Sequence, residues 1–193
     1  MNRGQKKILV QVCCASCAAY VIEELIKKDF EPILYFYNPE IQNSEDYQKR
    51  FDDISAFAAK NSIKLLVDTF DGDFIEQTTR PYTAKESLKY INDLDRYRRK
   101  RCNLCLTEII STTRMRAQKE KIDIFTTTFL CSPFKPHQEI AAIADSLSSQ
   151  NPVFYYQDFR KGYWSGRNFA KNNLNYIPKY CGCNDSEKEG RLE

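Results

Sequence analysis

Residues 7–28, KILVQVCCASCAAYVIEELIKK, constrain the fold more than any other stretch of the chain. Ile8, Leu9, Val10 and Val12 make a short apolar run that suits a buried strand, and Val21, Ile22, Leu25 and Ile26 fall on one face of a following helix. Between them sit Cys13, Cys14 and Cys17. Open α/β sheets place ligands at such a turn, because the carboxyl end of a parallel strand meets a helix N-terminus and its free N–H groups. Thiols stand here where a phosphate-binding loop would carry glycines. A helix N-terminus lowers a thiol pKa, and the thiolate is the form that binds metal or attacks a substrate.

The strand–helix rhythm continues. Glu31 to Tyr37 is expected as a second strand closed by Asn38 and Pro39, and Ser44 opens an amphipathic helix through Tyr47, Phe51, Ile54 and Ala58 to Lys60. Ile63 to Val67, Ile122 to Phe125 and Val153 to Tyr156 read as three more strands, with helices expected from Ile140 to Leu147 and from Ser165 to Asn173. A βαβαβ order predicts a mostly parallel sheet with right-handed crossovers and helices on both faces, a Rossmann-like α/β fold. Residues 70–101 break the rhythm as a polar helical insertion, with a short helix expected from Phe74 to Thr79. No linker divides the chain, so 1–193 is expected as a single domain with a core over 7–183 and a polar tail from 184 to 193.

A chain of 193 residues does not need disulfides as staples, which frees its eight cysteines for chemistry. That many thiols without a signal peptide point to a reducing, cytoplasmic setting and to metal or redox work. No stretch is long enough to span a membrane. A single histidine, His137, excludes three-histidine zinc sites, and its place after Pro136 reads as a cap or surface position.

All the cysteines but Cys131 fall into three groups: Cys13, Cys14 and Cys17; Cys102 and Cys105; Cys181 and Cys183. Cys102 and Cys105 form a CxxC at an expected helix start, where both side chains project from one turn. Because the first two groups begin at junctions of one sheet, they can converge on one edge. A thiolate-rich, histidine-poor set suits an iron–sulfur cluster or zinc, and four thiols on a [4Fe–4S] cluster leave others free to act on a substrate. The CGC pair can close a small disulfide ring or bind a second metal. Cys131 reads as a packing residue. Asp158 stands at a strand end, in a turn role or else as a proton donor or metal ligand, and the acidic cluster Asp68, Asp71 and Asp73, which could bind a hard cation, reads more simply as turn and capping chemistry.

The net charge of +3 proves no nucleic-acid partner, but its distribution is uneven. Arg96, Arg98, Arg99, Lys100 and Arg101 run up to Cys102, and Arg160, Lys161, Arg167, Lys171 and Lys179 precede the CGC pair. Such groups are either solvated helix faces or holders of phosphate beside the thiols.

Four motifs, CCASC at 13–17, CNLC at 102–105, TTTFLCSPFKPHQEI at 126–140 and YCGC at 180–183, together resemble the cobalamin-independent epoxyqueuosine reductases, the QueH family. The resemblance runs from about Lys7 to Cys183, with NYIPKY before YCGC departing from the family pattern. It implies deoxygenation of an epoxide on a modified 7-deazaguanine in a tRNA anticodon loop, the last step of queuosine synthesis, with two electrons from an unidentified donor. It further implies that Cys13, Cys14, Cys102 and Cys105 hold a [4Fe–4S] cluster and that Cys181 and Cys183 form a redox-active dithiol. An alternative use of the same sulfurs has Cys17, Cys181 and Cys183 hold a second iron. Phe159, Tyr163 and Trp164 are candidates for stacking on the base. The sheet also looks like the adenine-nucleotide hydrolase type, without its phosphate loop. Two competing classes remain at this point: a zinc- or cluster-stabilised RNA-binding module without catalysis, and a thiol–disulfide oxidoreductase.

Overall fold

The computed structural model of the chain describes residues 5–70, 94–147, 151–183 and 186, and for 94–99 the backbone only. Five strands, β1 (Lys6–Gln11), β2 (Phe30–Phe36), β3 (Leu65–Val67), β4 (Ile124–Thr127) and β5 (Val153–Phe154), form one sheet in the order β3-β2-β1-β4-β5. Every pairing is parallel. On β1, Leu9 stands opposite Ile33 on one side and Phe125 on the other. Ile8, Leu9 and Val10 are all fully buried, which explains the unbroken apolar run: a central parallel strand is covered on both faces. Each such side chain contributes about 1.5–3 kcal/mol of burial.

Among the described residues, the crossovers supply five α-helices: α1 (Ala15–Ile26), α2 (Ser44–Lys60), α3 (Leu94–Lys119), α4 (His137–Leu147) and α5 (Tyr163–Asn173). α1 packs on α2 and α5, while α3 packs on α4. The start of α2 is set locally, because the Asn43 side chain accepts the N–H groups of Glu45 and Asp46. α1 and α5 approach closely at Gly166, where an added Cβ would lie 2.2 Å from the Ser16 carbonyl oxygen. Only glycine fits that crossing.

One helix differs from the sequence expectation. Cys102 and Cys105 do not open a helix; they lie inside α3, which already begins at Leu94. The basic run LDRYRRKR contains no glycine or proline to stop a helix, so the charges and the thiols share one continuous element. The rest of the expected insertion, with the helix at 74–79 and the acidic positions 71 and 73, lies outside the described residues. Asp68 does serve structure, accepting hydrogen bonds from the Tyr35 hydroxyl at 2.8 Å and from Arg116 at 2.5 Å.

The strand order reverses at β1, with β2 and β3 on one side and β4 and β5 on the other. The crevice outside the carboxyl ends of β1 and β4 is therefore the switch point where folds of this kind bind ligands.

Candidate metal and thiol site

A polar net ties the strand ends together at that crevice. Gln11, fully buried at the end of β1, donates to the Tyr37 carbonyl at 3.2 Å and to Asn38 Oδ1 at 2.9 Å. It accepts from the Thr127 hydroxyl at 2.6 Å, and Asn38 Nδ2 donates to the Val12 carbonyl at 3.0 Å. With every polar atom of Gln11 satisfied, the ends of β1, β2 and β4 are locked in register. The next residue but one is Cys13. Its N–H donates to the Thr128 hydroxyl at 3.3 Å, and that hydroxyl lies 3.7 Å from the Cys13 sulfur.

The first thiol group is held by that turn. Cys13, Cys14 and Cys17 have sulfurs within 4.8 Å of one another, close enough to share one metal ion. Cys14 is the N-cap of α1, in extended conformation, and its sulfur faces Cys13 at 3.7 Å and the Ser16 hydroxyl at 3.2 Å. Hydrogen bonding from Cys13 and Cys17, helped by Arg50, holds the Cys14 thiol well below its usual range. Cys13 and Cys17 are pushed up, chiefly by their sulfur neighbours and by burial. Of the three sulfurs, Cys14 is the one whose surroundings most favour the thiolate. Cys131 is fully buried in a 3-10 turn over Thr128–Cys131, as expected of a packing residue, and also leans on Cys17.

The other thiols come from distant stretches to the same place. Cys13, Cys14, Cys17, Cys102, Cys181 and Cys183 all line one cavity. Cys105, half-buried, is not among the lining residues, and its thiol is raised first by burial and then by the carboxylate of Glu40. Among the described residues, Cys102 and Cys105 do not join the group of sulfurs within 4.8 Å. Cys181 accepts a hydrogen bond from the Lys135 ammonium at 2.6 Å, and Cys183 accepts the Ser186 N–H at 3.4 Å. Burial raises the Cys181 thiol, and Lys135 opposes that shift.

Three functional residues escaped the sequence reading. Arg50, buried on α2, is gripped by Asp46 at 2.8 Å and donates to the Tyr180 carbonyl at 3.0 Å, which fixes the loop before Cys181. Lys135 lines the cavity and sits 4.4 Å from the centre of the Phe129 ring. Glu40 is fully buried, and among the described residues no other group hydrogen-bonds either carboxylate oxygen. Burial pushes its carboxyl up to about 7, with Lys135 the strongest charge pulling the other way. The Asp46–Arg50 spacing of four was the only local signal for any of them.

Other expectations sort cleanly. Arg101, the last of the basic run, is buried and lines the cavity with Arg50, Lys135 and Arg167, so at this end the run is no solvated face. His137 is buried rather than at the surface, its Nε2 3.2 Å from the Ser132 carbonyl. Asp158 takes the turn role, accepting the Arg160 N–H at 3.0 Å and pairing with the Arg160 guanidinium, which lowers its pKa to about 2. Phe159 is fully buried in the core and so unavailable for stacking. Phe134, half exposed, meets Tyr163 edge-on at 5.8 Å, and Tyr163 meets the exposed Trp164 at 5.2 Å. These rings, with Arg167 over Tyr163 at 5.8 Å, form an aromatic rim.

A parallel α/β sheet with thiols from three separate segments at its switch point, faced by buried cations, defines a thiol-based metal or redox protein. The donor set fits an iron–sulfur cluster: sulfur is the ligand such clusters take, and the arginines and lysine offset the negative charge of clustered thiolates. The chain belongs to the QueH family, whose model, described as epoxyqueuosine reductase QueH, matches residues 8–189. A relative of that name from Thermotoga maritima is 30% identical over 179 residues, covering 91% of this chain and 88% of its own. Another from Dehalococcoides mccartyi is 28% identical over 185 residues, covering 95% and 93%. Among solved structures, the U34-tRNA thiolase NcsA from Methanococcus maripaludis with its [4Fe-4S] cluster aligns with a TM-score of 0.43 at 13% identity, covering 89% of this chain and 68% of that one. Among the described residues, no helix is long and apolar enough to cross a membrane.

Proposed function

We propose that this chain is an epoxyqueuosine reductase, acting in the cytoplasm on tRNA that carries epoxyqueuosine and drawing electrons from a separate donor. The observation that carries the reading is the convergence of six thiols on one cavity, in a chain whose relatives bear that name. A thiol–disulfide oxidoreductase would not need the adjacent Cys13 and Cys14, and a non-catalytic RNA-binding module would not need a dithiol facing a cavity.

In this reading Cys13, Cys14, Cys102 and Cys105 hold a [4Fe–4S] cluster, which supplies single electrons when bound. Cys181 and Cys183 form the two-electron store. Their oxidation makes an S–S bond and releases two electrons and two protons; both C–O bonds of the epoxide break, an alkene forms, and the oxygen leaves as water. The Lys135 ammonium, 2.6 Å from the Cys181 sulfur, accords with a dithiol that can carry negative charge; the other use of the same sulfurs has Cys17, Cys181 and Cys183 hold a second iron. The aromatic rim of Phe134, Tyr163 and Trp164 offers the base a stacking surface, and Arg167 offers its phosphate a charge.

The test is anaerobic reconstitution with iron and sulfide, then incubation with a low-potential reductant and epoxyqueuosine-bearing tRNA, with the digested nucleosides weighed by mass spectrometry. Queuosine, one oxygen lighter than its precursor, is the expected product. Unchanged epoxyqueuosine from protein holding about four iron and four sulfide per chain would overturn the assignment.

A further inference from the structure

Of the three rings at the aromatic rim, Phe134 and Tyr163 line the cavity and Trp164 stands outside it. Trp164 is 67% exposed, more than any other large apolar side chain among the described residues, and its ring meets Tyr163 edge-on at 5.2 Å. It is also the only tryptophan in the sequence. A base drawn into the cavity leaves its stack in the RNA loop, and the nucleotides on either side lose a stacking partner. We propose that Trp164 takes the place of that partner by stacking on the base of a nucleotide next to the reacting one. The ligand is then at least a dinucleotide of single-stranded RNA, an inference that rests on the reductase reading above.

Two close helix crossings hold the tryptophan where it stands. Trp164 lies in the first turn of α5, between Gly162 and Gly166. A Cβ on Gly162 would sit 1.9 Å from the Tyr20 ring, and one on Gly166 would sit 2.2 Å from the Ser16 carbonyl oxygen. Tyr20 and Ser16 both belong to α1, so the backbone is pressed against that helix on either side of Trp164. A large ring with two side-chain torsions on a fixed backbone gives up little conformational freedom when it binds.

The charge around the ring suits a nucleic acid. Residues 159–183 include Arg160, Lys161, Arg167, Lys171 and Lys179 and no aspartate or glutamate. Arg160 is held by Asp158, while Lys161, Lys171 and Lys179 are exposed. Arg167 lines the cavity and lies over Tyr163 at 5.8 Å, beside the ring that joins Phe134 on one side to Trp164 on the other. Single-stranded nucleic acid is held by this combination, with cations tracking the phosphates and rings stacking on successive bases. A free nucleoside brings neither a flanking phosphate nor a flanking base, so it would leave Trp164 and these cations unused.

With one tryptophan in the sequence, intrinsic fluorescence of the reconstituted protein reads this position alone. The probes are anticodon stem-loop RNAs carrying epoxyqueuosine, one intact and two with an abasic nucleotide on one or the other side of it, bound without reductant so that nothing turns over. The intact stem-loop is expected to shift the fluorescence and shield it from acrylamide. One of the two abasic RNAs is expected to lose both effects and to bind about 5- to 150-fold more weakly. Trp164→Ala should bind the intact stem-loop about as weakly and no longer distinguish it from that abasic RNA, while Trp164→Phe should recover much of the affinity. Fluorescence unmoved at saturation with the intact stem-loop would overturn the proposal and leave the ring to a protein partner. A shift kept in full by both abasic RNAs would also overturn it, assigning Trp164 to the reacting base. A wild type that binds no stem-loop would sink the reductase reading as well, a separate outcome from tight RNA binding that leaves Trp164 untouched.

Discussion

Arg50 donates a hydrogen bond to the carbonyl oxygen of Tyr180 at 3.0 Å, joining the middle of α2 to the loop that carries Cys181 and Cys183 across 130 residues of sequence. A second guanidinium nitrogen reaches toward the Cys181 carbonyl at 3.5 Å, and the side chain also lies over the Tyr180 ring. Since Asp46 holds the other edge of the guanidinium, its planar fork is used on two sides at once.

Replacing Arg50 with Met leaves Asp46 as an unpaired buried charge, and we expect a loss of about 3–5 kcal/mol. The double variant Asp46→Asn with Arg50→Met should recover much of that loss in urea unfolding. Arg50→Lys keeps the charge but not the fork, so the protein should stay folded while Cys181 reacts faster with iodoacetamide, its loop no longer clasped. Equal alkylation rates in Arg50→Lys and wild type would show that the clasp does not position the loop.

Glu40 makes stability depend on pH in an unusual direction. Burial raises its carboxyl to about 7, above the ordinary value of 4.5. The folded state therefore binds more protons between those values, and stability falls as pH rises through that window. For metal-free protein, the wild type should lose about 3 kcal/mol between pH 4 and pH 8 from this group alone. Glu40→Gln should lose that part of the slope. Parallel stability curves for the two proteins would count against a buried, unpaired carboxyl.

The ligand set is open to a direct count. If Cys13, Cys14, Cys102 and Cys105 hold the cluster, Cys102→Ser should strip iron and sulfide after reconstitution, while Cys17→Ser and Cys181→Ser should retain them. The reverse pattern, with Cys17→Ser empty and Cys102→Ser full, would assign the metal to the three sulfurs already within 4.8 Å.

Gly166 tests how far helix packing reaches into the site. A methyl group there would stand 2.2 Å from the Ser16 carbonyl, so Gly166→Ala must push α5 from α1. The expected cost is about 1–3 kcal/mol, read as a lower urea midpoint. Ser16 contacts the Cys14 sulfur, so cluster assembly should also slow. An unchanged midpoint would mean that the two helices can slide apart freely.

The parts of this molecule that were legible in the sequence are those written in local pattern. The apolar run of β1, the cysteine turn and the periodic face of α1 are each contained within a few residues, and Asn43 marks the start of α2 with its own side chain. What was hidden depends on residues far apart. Glu40 follows Asn38 and Pro39 in what reads as an ordinary turn, and the charge that faces it, Lys135, is almost a hundred positions away. Lys135 itself looks like one more surface lysine until Cys181 is placed beside it. The basic run reads as helical in sequence, but its continuity with the helix that carries Cys102 and Cys105 does not, because no apolar periodicity bridges the run and the thiols.

The outer strands of the sheet are its shortest, three residues in β3 and two in β5, while the thiol turn follows β1 at the centre. Short edges give a neighbouring molecule little backbone to pair with. For a chain with eight free cysteines, that limits a particular hazard, because molecules that do not stack edge to edge do not hold their sulfurs together long enough to cross-link. The same economy at the margins that makes the sheet look truncated thus helps keep a thiol-laden protein dispersed.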